Sequence, residues 1–418
     1  MSNTVPKEWQ IKTVDEVATV FAGGTPSRSN PDYYEGTIPW VKSGEVNTRL
    51  IYRTEETISE LAVKESSARW AKRGSVLVAM YGATAGKAAR LMIDATLNQA
   101  VSAINGRENT ADNWFLLYAI ENNTRELLNT VQGSGQPNLS GQLIKTLNLP
   151  IPPLPEQQKI AAILSSVDDV IEKTRAQIDK LKDLKTGMMQ ELLTKGIGHT
   201  EFTDSPVGRI PLGWNIRSLK SLCRRITDGT HQSVKTSNSG KIPFLYVSCI
   251  RNGEILWDKA SGLTESDYTR ASKGRVASPG DILYTAVGSY GHAALVETDQ
   301  RFSFQRHIAF IQPDKSTVDP RYLVSVLNST LGRTQADRFA IGNAQLSVTL
   351  GDLGTFMIPT PPLHEQHKIA KTIGAIISNI HEHETKLGSL LNLKKALMQD
   401  LLTGKVRVKV DQKESAVA

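Results

Sequence analysis

The chain has 418 residues, 39% of them hydrophobic and 22% charged, which is long enough for two or three globular domains and too apolar for intrinsic disorder. The formal net charge of +7 fits either an acidic partner, of which nucleic acid is the commonest, or an ordinary soluble surface. Cys223 and Cys249 do not have the spacing of zinc ligands. The N-terminus lacks the apolar core of a signal peptide, and no apolar run approaches the ~20 residues of a membrane span. We therefore expect a soluble cytoplasmic protein.

Residues 1–150 alternate short apolar runs with glycine, proline and asparagine, which is typical of a domain built from short strands and loops. The segment 74–82 predicts a turn followed by a strand, and the segment 114–122 predicts a short helix. Because strands and helices do not alternate regularly, we expect a mixed α+β domain with a curved sheet rather than a doubly wound fold.

Two segments of this domain resemble catalytic motifs but depart from them in detail. The segment 82–88 has one residue too few between its glycines for a phosphate-binding loop, and Ala88 stands where a serine or threonine would hold magnesium. Asn30-Pro31-Asp32-Tyr33 lacks the second proline of the Asn-Pro-Pro-Tyr motif of amino-methyltransferases. Since the sequence has no other nucleophile motif or metal-ligand cluster, we predict no catalytic residue and no metal site.

Residues 154–196 predict one long helix, because apolar residues recur at alternating spacings of four and three. Pro155 and Glu156 suit its first turn, and Gly196 suits its C-terminal cap. The apolar positions form a heptad seam at Ile160, Leu164, Val167, Ile171, Ile178 and Leu181. Such a narrow seam favours pairing with another helix, and the alternative is that the helix packs on its own domain.

A linker at residues 197–213 leads to a second copy of this arrangement, with a domain at 214–362, a helix at 363–404 and a tail at 405–418. The segment 152–161 returns as 361–370 at an offset of 209, and the seam returns at Ile369, Ile373, Ile376, Ile380, Leu387 and Leu390. Looser matches align Gly24-Thr25 with Gly229-Thr230 and Leu139-Ser140 with Leu346-Ser347. We therefore predict two globular mixed α/β domains separated by two long helices that form an antiparallel coiled coil, with an internal pseudo-twofold repeat.

Several motifs spread along the chain form a set. They are Gly24-Thr25-Pro26-Ser27, the segments 38–45 and 133–140, Pro152-Pro153-Leu154-Pro155-Glu156-Gln157, and the helix end and linker at 191–202. Together they resemble the specificity subunit of Type I restriction–modification systems. The resemblance implies two target-recognition domains, at 1–153 and 214–362, each reading one half of a split, asymmetric DNA site. It also implies that the long helices space these domains and dock the modification subunits.

The resemblance further implies a chain that is non-catalytic on its own. Its expected partners are double-stranded DNA, two modification (methyltransferase) subunits and ATP-dependent restriction subunits that translocate and cut DNA. S-adenosylmethionine and ATP are expected on those subunits, and no cofactor is expected on this chain. One alternative is a free-standing sequence-specific DNA-binding regulator, and another is a coiled-coil scaffold with no role on DNA.

Base edges are read best by arginine, lysine, asparagine and glutamine, while phosphates are bound mainly by cations. Lys42 and Lys87 are the better candidates for phosphate contact, and Gln136 and Asn138 for base contact or for shaping their loop. For any single candidate the alternatives are a solvated surface role or a phosphate contact. The DNA-binding candidates are Arg28, Lys42, Arg49, Lys87, Gln136, Asn138, His231, Lys235, Arg251, Tyr290, His292, Asn343 and Gln345.

Overall fold

The computed structural model describes residues 5–131, 139–237, 240–251, 253–342 and 345–410. The chain divides into two compact units, of which the first comprises Met1–Arg175 with Thr385–Ala418 and the second comprises Ala176–Glu384. Each unit therefore holds the beginning of one long helix and the end of the other. In the part of the chain that the structure describes, no helix is long and apolar enough to cross a membrane.

The first unit combines two mixed sheets with a two-stranded pair. Its helices are α1 (Val14–Val17), α2 (Glu60–Glu65), α3 (Asn113–Val131), α4 (Gly141–Lys145) and the long α5 (Leu154–Thr194), which continues into the second unit. Its strands are β1 (Gln10–Thr13), β2 (Ala18–Ala22), β3 (Ile38–Val41), β4 (Leu50–Ile51), β5 (Glu56–Ile58), β6 (Arg69–Ala71), β7 (Val76–Ala79), β8 (Ala88–Leu91), β9 (Ala95–Leu97), β10 (Val101–Gly106) and β11 (Asn148–Ile151). The strand order is β2-β10-β7-β8-β4 in one sheet and β5-β3-β9-β6 in the other, and β1 pairs with β11.

Strand β7 lies in the middle of the first unit, and all four of its residues are apolar and buried. Val76 and Val78 pack in the cluster that includes α3, whereas Leu77 and Ala79 pack in a second cluster. The strand predicted within residues 74–82 is therefore confirmed. Helix α3 is longer than predicted from the segment 114–122, because the polar residues beyond it are still held in the helix. The hydroxyl of Thr124, for example, donates to the carbonyl oxygens of Ile120 at 2.9 Å and Gly86 at 3.0 Å.

The second unit repeats this plan with different strand lengths. Its helices are α6 (Glu265–Ala271), α7 (Pro320–Asn328), α8 (Thr330–Phe339), α9 (Leu350–Gly354) and the long α10 (Leu363–Leu401), which continues into the first unit. Its strands are β12 (Phe202–Thr203), β13 (Ile210–Pro211), β14 (Asn215–Ser218), β15 (Cys223–Asp228), β16 (Ile242–Leu245), β17 (Ile250–Arg251), β18 (Glu254–Ile255), β19 (Ser261–Leu263), β20 (Ile282–Thr285), β21 (Ala293–Leu295), β22 (Ser303–Phe304), β23 (Ile308–Pro313) and β24 (Met357–Thr360). The two larger sheets have the orders β15-β23-β20-β21 and β19-β16-β22.

The long helices run antiparallel in both units. In the first unit, Ile160 and Leu164 of α5 pack in one cluster with Met398 and Leu401 of α10, and Asp168 forms an ion pair with Lys394 at 2.6 Å. In the second unit, Lys182 forms an ion pair with Glu384 at 2.7 Å, and Leu193 packs with Ile369 and Ile373. The partner's number falls as the number on α5 rises, which is the order of an antiparallel pair.

Burial along both helices follows the heptad spacing. From Ile171 to Lys185, every fourth or third residue is buried or half-buried, and every residue between them is exposed. The same holds from Ile380 to Lys394. All twelve apolar seam residues named above are buried or half-buried. The predicted fold class, two mixed α/β domains with an internal repeat and two long antiparallel helices, is confirmed.

Candidate functional site

In the first unit, a parallel pair of strands brings polar loops to one edge of a sheet. Strands β3 and β9 run parallel, with Trp40 opposite Thr96 and Val41 opposite Leu97. Because parallel strands end at the same edge, the residues that follow them lie side by side. The main-chain N–H of Asn98 accordingly donates to the carbonyl oxygen of Val41 at 3.0 Å. Lys42, which follows Val41, therefore lies next to Asn98.

Two further loops join this edge through main-chain hydrogen bonds. Gly24 donates to the carbonyl oxygen of Leu97 at 2.9 Å, and Met80 donates to that of Ala100 at 2.8 Å. The carbonyl oxygen of Met80 accepts from Leu139, also at 2.8 Å. We call the residues 23–28, 42–47, 80–87 and 98–100 the first loop cluster. Gln136 and Asn138, which precede Leu139 in sequence, lie outside the described residues.

The second unit builds an equivalent arrangement, which we call the second loop cluster and which comprises residues 229–235, 246–251, 286–292, 305–307 and 345–348. Strands β16 and β22 run parallel, with Leu245 opposite Phe304. The carbonyl oxygen of Phe304 accepts from Thr230 at 2.9 Å, and that of Ala286 accepts from Val348 at 2.8 Å. Asn343, another candidate of this region, lies outside the described residues.

These hydrogen bonds correct the sequence register between the two halves. Gly23 and Gly229 both lie against main-chain oxygens. A Cβ atom on Gly23 would lie 2.1 Å from the oxygen of Leu97, and a Cβ atom on Gly229 would lie 2.4 Å from the oxygen of Phe304. The structural equivalent of Gly229 is therefore Gly23, and the alignment of Gly229 with Gly24 is wrong by one residue. The alignment failed because both glycines of the first half are adjacent and the sequence alone does not show which one the backbone contact requires.

The match of Leu139-Ser140 with Leu346-Ser347 is also wrong. Ser140 caps helix α4 and Thr349 caps helix α9, each by accepting a main-chain N–H three residues later. Leu139 and Val348, the residues before these caps, make the equivalent bonds to Met80 and Ala286. The true equivalent of Leu139-Ser140 is Val348-Thr349, at the offset of 209 that the helices also follow.

The predicted cations of the first loop cluster differ in how far they are already neutralised. Arg28 pairs with Glu56 at 2.7 Å, and its guanidinium lies 4.1 Å from the ring centre of Tyr34. Lys42 pairs with Glu56 at 2.9 Å and with Glu55 at 3.0 Å, and its hydrogen bonds with these two carboxylates raise the pKa of Lys42. Lys87 is exposed, and among the described residues its ammonium group donates to the neutral side chain of Asn47 and pairs with no carboxylate. Lys87 therefore keeps its charge available to an outside anion.

Arg49 lies in a buried ionic group outside this cluster. Its side chain pairs with Glu121 at 2.6 Å and with Asp168 at 2.9 Å, and its guanidinium covers the ring of Tyr118 at 4.5 Å. Burial alone would lower the pKa of Arg49, but the two carboxylates outweigh it and raise the pKa. This placement favours a structural role for Arg49 over a DNA contact.

Three predicted residues of the second unit are exposed in its loop cluster. His231 pairs with the carboxylate of Asp228. Lys235 is exposed and has no ion-pair or hydrogen-bond partner among the residues that the structure describes. Gln345 is exposed beside Gly288, at which an added Cβ would lie 3.1 Å from the Nε2 atom of Gln345. Lys235 and Gln345 thus offer one charge and one amide to an outside partner.

The other three predicted residues of the second unit are held by contacts within it. Arg251 donates to two main-chain carbonyl oxygens, one of them that of Ile250 at 2.6 Å. Tyr290 is buried, and its hydroxyl donates to Asp337 at 2.8 Å. Burial, with the nearby charges of Arg251 and Arg333, lowers the pKa of the half-buried His292. The lowered pKa favours the neutral ring of His292, which can take part in a hydrogen bond.

Sequence reasoning missed Arg306, which is exposed in the second loop cluster two residues after β22. Burial and the charge of Arg306 lower the pKa of the neighbouring His307, whose carbonyl oxygen accepts from Ala286 at 2.9 Å. The signal available in the sequence was the polar run that follows β22. Its first residue, Gln305, matches Asn98, which follows β9 in the first half. In the described part of the chain, no group of three histidine, cysteine, aspartate or glutamate side chains could hold a metal ion.

Two units with equivalent loop clusters, joined to a pair of long antiparallel helices, define a protein with two related but unlike binding surfaces. Residues 6–183 and 211–391 match the family model described as the Type I restriction modification DNA specificity domain. The chain therefore belongs to that family.

Relatives and solved structures agree with this membership. The chain is 26% identical over 413 residues to the Type I restriction enzyme MjaVIII specificity subunit of Methanocaldococcus jannaschii, covering 97% of this chain and 94% of the relative. It is 25% identical over 418 residues to the MjaIX specificity subunit of the same organism, covering 97% and 95%. The crystal structure of a Type I restriction–modification S subunit from M. genitalium shares the fold, with a TM-score of 0.62 at 14% identity over 96% of this chain and 97% of that one.

Proposed function

We propose that this chain is the DNA-specificity subunit of a Type I restriction–modification complex, and that each loop cluster reads one half of a bipartite, asymmetric DNA site. The observation that carries the proposal is a pair of matching backbone frameworks that display unlike side chains. Thr230 makes the main-chain bond that Gly24 makes in the first unit, and Arg306 stands where the first unit has Gln99. A shared framework with different polar groups fits two readers of two different half-sites.

The side chains divide into groups suited to phosphates and groups suited to bases. Lys87, Lys235 and Arg306 are exposed and have no carboxylate partner among the described residues, so they fit phosphate contacts that set the position of each unit. Gln345 carries an amide, which can donate to and accept from one base edge, and the neutral His292 can do the same in part. Gln136 and Asn138 stay predictions for base contact.

The long helices fit the role of spacing the two domains and docking two modification subunits. They are the segment in which the halves match most closely in sequence, at one constant offset, which fits a task that both halves share. In this proposal the chain transfers no methyl group itself. S-adenosylmethionine and ATP belong to the modification and restriction subunits, and DNA methylation and cleavage occur there.

The test is methylation by the assembled complex. The purified chain alone should methylate no DNA, whereas the chain mixed with its modification subunit should methylate adenines at one bipartite sequence, read by single-molecule sequencing. Lys87→Gln should weaken methylation of the whole site without changing its sequence, because a phosphate contact carries no base information, whereas Gln345→Ala should relax recognition within one half only. Methyl transfer by the chain alone, or relaxed recognition of both halves in Gln345→Ala, would overturn the proposal. Sequence-specific binding without any modification subunit would instead favour the free-standing regulator.

A further inference from the structure

Strand β6 and the two residues after it carry an exposed combination of cations and an aromatic ring. β6 is the last strand in the order β5-β3-β9-β6, so one of its edges has no neighbouring strand in that sheet. Arg69, Trp70, Lys72 and Arg73 are all exposed. No carboxylate pairs with the three cationic side chains among the described residues. The carboxylate of Asp94, from a later part of the chain, accepts the main-chain N–H of Arg73 at 2.7 Å.

Trp70 stands apart from the other tryptophans of the chain. All six are described, and Trp70 alone is exposed, with 48% of its surface accessible. Natural edge strands are often protected by charged side chains that prevent pairing with another sheet. The three cations could serve that purpose, but an exposed tryptophan on the same edge works against it. We therefore infer that a partner molecule covers the indole of Trp70.

The strand register places Trp70 on the same sheet face as the first loop cluster's Arg28. Trp70 lies opposite Thr96, and Thr96 lies opposite Trp40, so these three side chains point to one face. The guanidinium of Arg28 lies 5.5 Å from the ring centre of Trp40. Two strand spacings separate the backbones of Trp40 and Trp70, a distance of about 10 Å. The indole of Trp70 therefore lies on the sheet face that also carries Arg28, with the buried Trp40 and Thr96 between them.

The second unit lacks this combination. Gly74 and Gly280 occupy equivalent turns, with φ angles of +94° and +96°, so Arg69 matches Arg275 and Trp70 matches Val276. Arg275 is already paired with Asp228, at 3.5 Å. Lys72 and Arg73 are replaced by Ser278 and Pro279. The feature is therefore specific to the first unit and is not a requirement of the shared framework.

We propose that the segment 69–73 is a second DNA-contacting element of the first unit, in which Arg69, Lys72 and Arg73 bind phosphates and the Trp70 indole packs against the sugars and base edges of the duplex. This inference rests on the proposed DNA-reading function. Its consequence is that the first unit makes more phosphate contacts than its framework alone provides. The complementary charge of the DNA backbone and the aromatic surface of Trp70 both favour duplex DNA as the occupant.

The test is the salt dependence of binding by the full-length chain, alone or assembled with its modification subunit, to a mixed-sequence duplex. In Arg69→Gln/Lys72→Gln/Arg73→Gln, the slope of the logarithm of affinity against the logarithm of salt should fall by about 2 to 3, because each phosphate contact contributes about 0.9. The control Lys7→Gln/Lys220→Gln/Lys409→Gln removes three exposed lysines outside the long helices and both loop clusters and should leave the slope unchanged. An unchanged slope in the first variant overturns the inference while the proposed function stands. If the unmodified chain binds no duplex in either form, the proposed function fails and the inference fails with it.

Trp70 is tested separately by fluorescence. Bound duplex should protect the exposed indole from acrylamide quenching, and the protection should disappear in Trp70→Phe. Trp70→Ala should weaken binding roughly fivefold or more with little change in the salt slope, whereas Trp70→Phe should retain most of the affinity. Equal quenching with and without saturating duplex would show that the indole stays uncovered and would remove Trp70 from the proposed contact.

Discussion

Asp168 is the residue on which the ionic group of the first unit depends. Its carboxylate accepts from the hydroxyl of Tyr118 at 2.7 Å, pairs with Lys394 at 2.6 Å and lies 2.9 Å from Arg49. Burial and this carboxylate raise the pKa of Tyr118 above its usual value, against the opposing effect of Arg49. One acidic side chain of α5 therefore connects α10 to the globular part of the unit.

Asp168→Asn should destabilise the protein, because it leaves Arg49 and Lys394 largely buried without their shared countercharge. We expect a loss of about 2–4 kcal/mol in the free energy of unfolding, measured by urea denaturation. The control is Asp169→Asn, which removes the same charge from the adjacent exposed position and should cost less than about 0.5 kcal/mol. Equal losses in the two variants would contradict the structural role of Asp168.

The second half of the sequence shows why the ionic group around Asp168 was not predicted. At the offset of 209, Asp168 corresponds to Ile377 and Lys394 corresponds to Lys185, so only one half carries the acid. Burial lowers the pKa of Lys185, against the weaker opposing effects of Glu254 and Glu384. Arg49 looked like a DNA-binding candidate because a polar loop surrounds it in sequence. The carboxylates that hold it come from residues far along the chain, which no local pattern reveals.

At the scale of the elements, the heptad seam makes a sharp distinction between neighbouring residues. Ile171 is 2% exposed, whereas Val170, the residue before it, is 41% exposed. Ile171→Asp should cost about 3 kcal/mol or more, because it places an unpaired carboxylate at a buried position of the seam. Val170→Asp also replaces a β-branched residue with aspartate, so its cost in helix propensity is similar. Because Val170 is exposed, the total effect on the free energy of unfolding should stay within about 0.5 kcal/mol. Far-ultraviolet circular dichroism during urea unfolding measures both.

Similar midpoints for Ile171→Asp and Val170→Asp would mean that α5 does not depend on this contact, and would contradict the pairing inferred from burial.

The elements divide into those that local sequence determines and those that it does not. Helices α5 and α10 were predictable because their apolar spacing and their terminal glycines are local signals, and Gly196 does adopt a positive φ of +66°. The loop clusters depend on the parallel pairing of β3 with β9 and of β16 with β22, strands more than fifty residues apart in sequence. Such pairing leaves no local periodicity. The loops could therefore be named from composition, but their meeting at one edge could not be predicted.

At the scale of the whole molecule, the beginning of each long helix is held in the same way. Trp9 donates its indole N–H to Glu156 at the start of α5, and Trp214 donates to Glu365 at the start of α10, both at 3.1 Å. The residues that follow the end of the other helix add a second donor. In the first unit this donor is Arg407, which forms two hydrogen bonds with Glu156 at 2.7 and 2.8 Å.

The second unit uses a different donor at this position. The ring Nε2 of His199 lies 2.8 Å from Glu365, and the main-chain N–H of Ile197 donates to the same carboxylate at 3.0 Å. A histidine ring and a main-chain N–H thus do in the second unit what one arginine does in the first. The tail after α10 and the linker after α5 are consequently equivalent structural parts, although their sequences differ.

Arg407→Met should therefore destabilise the first unit selectively. Hydrogen bonds with Glu156 and Glu8 raise the pKa of Arg407, so this arginine stays charged. Its loss leaves the side chain of Glu156, which is 3% exposed, with the neutral indole of Trp9 as its remaining partner among the described residues. We expect a loss of about 2–4 kcal/mol in the local opening free energy around Glu156, measured by hydrogen–deuterium exchange. Peptides around Glu365 should keep their protection, because His199 and Ile197 still hold that carboxylate. Lys405→Met, which removes an exposed cation paired with Asp400, should leave both regions unchanged. Loss of protection around both glutamates would show that the tail stabilises the molecule as a whole rather than the start of α5.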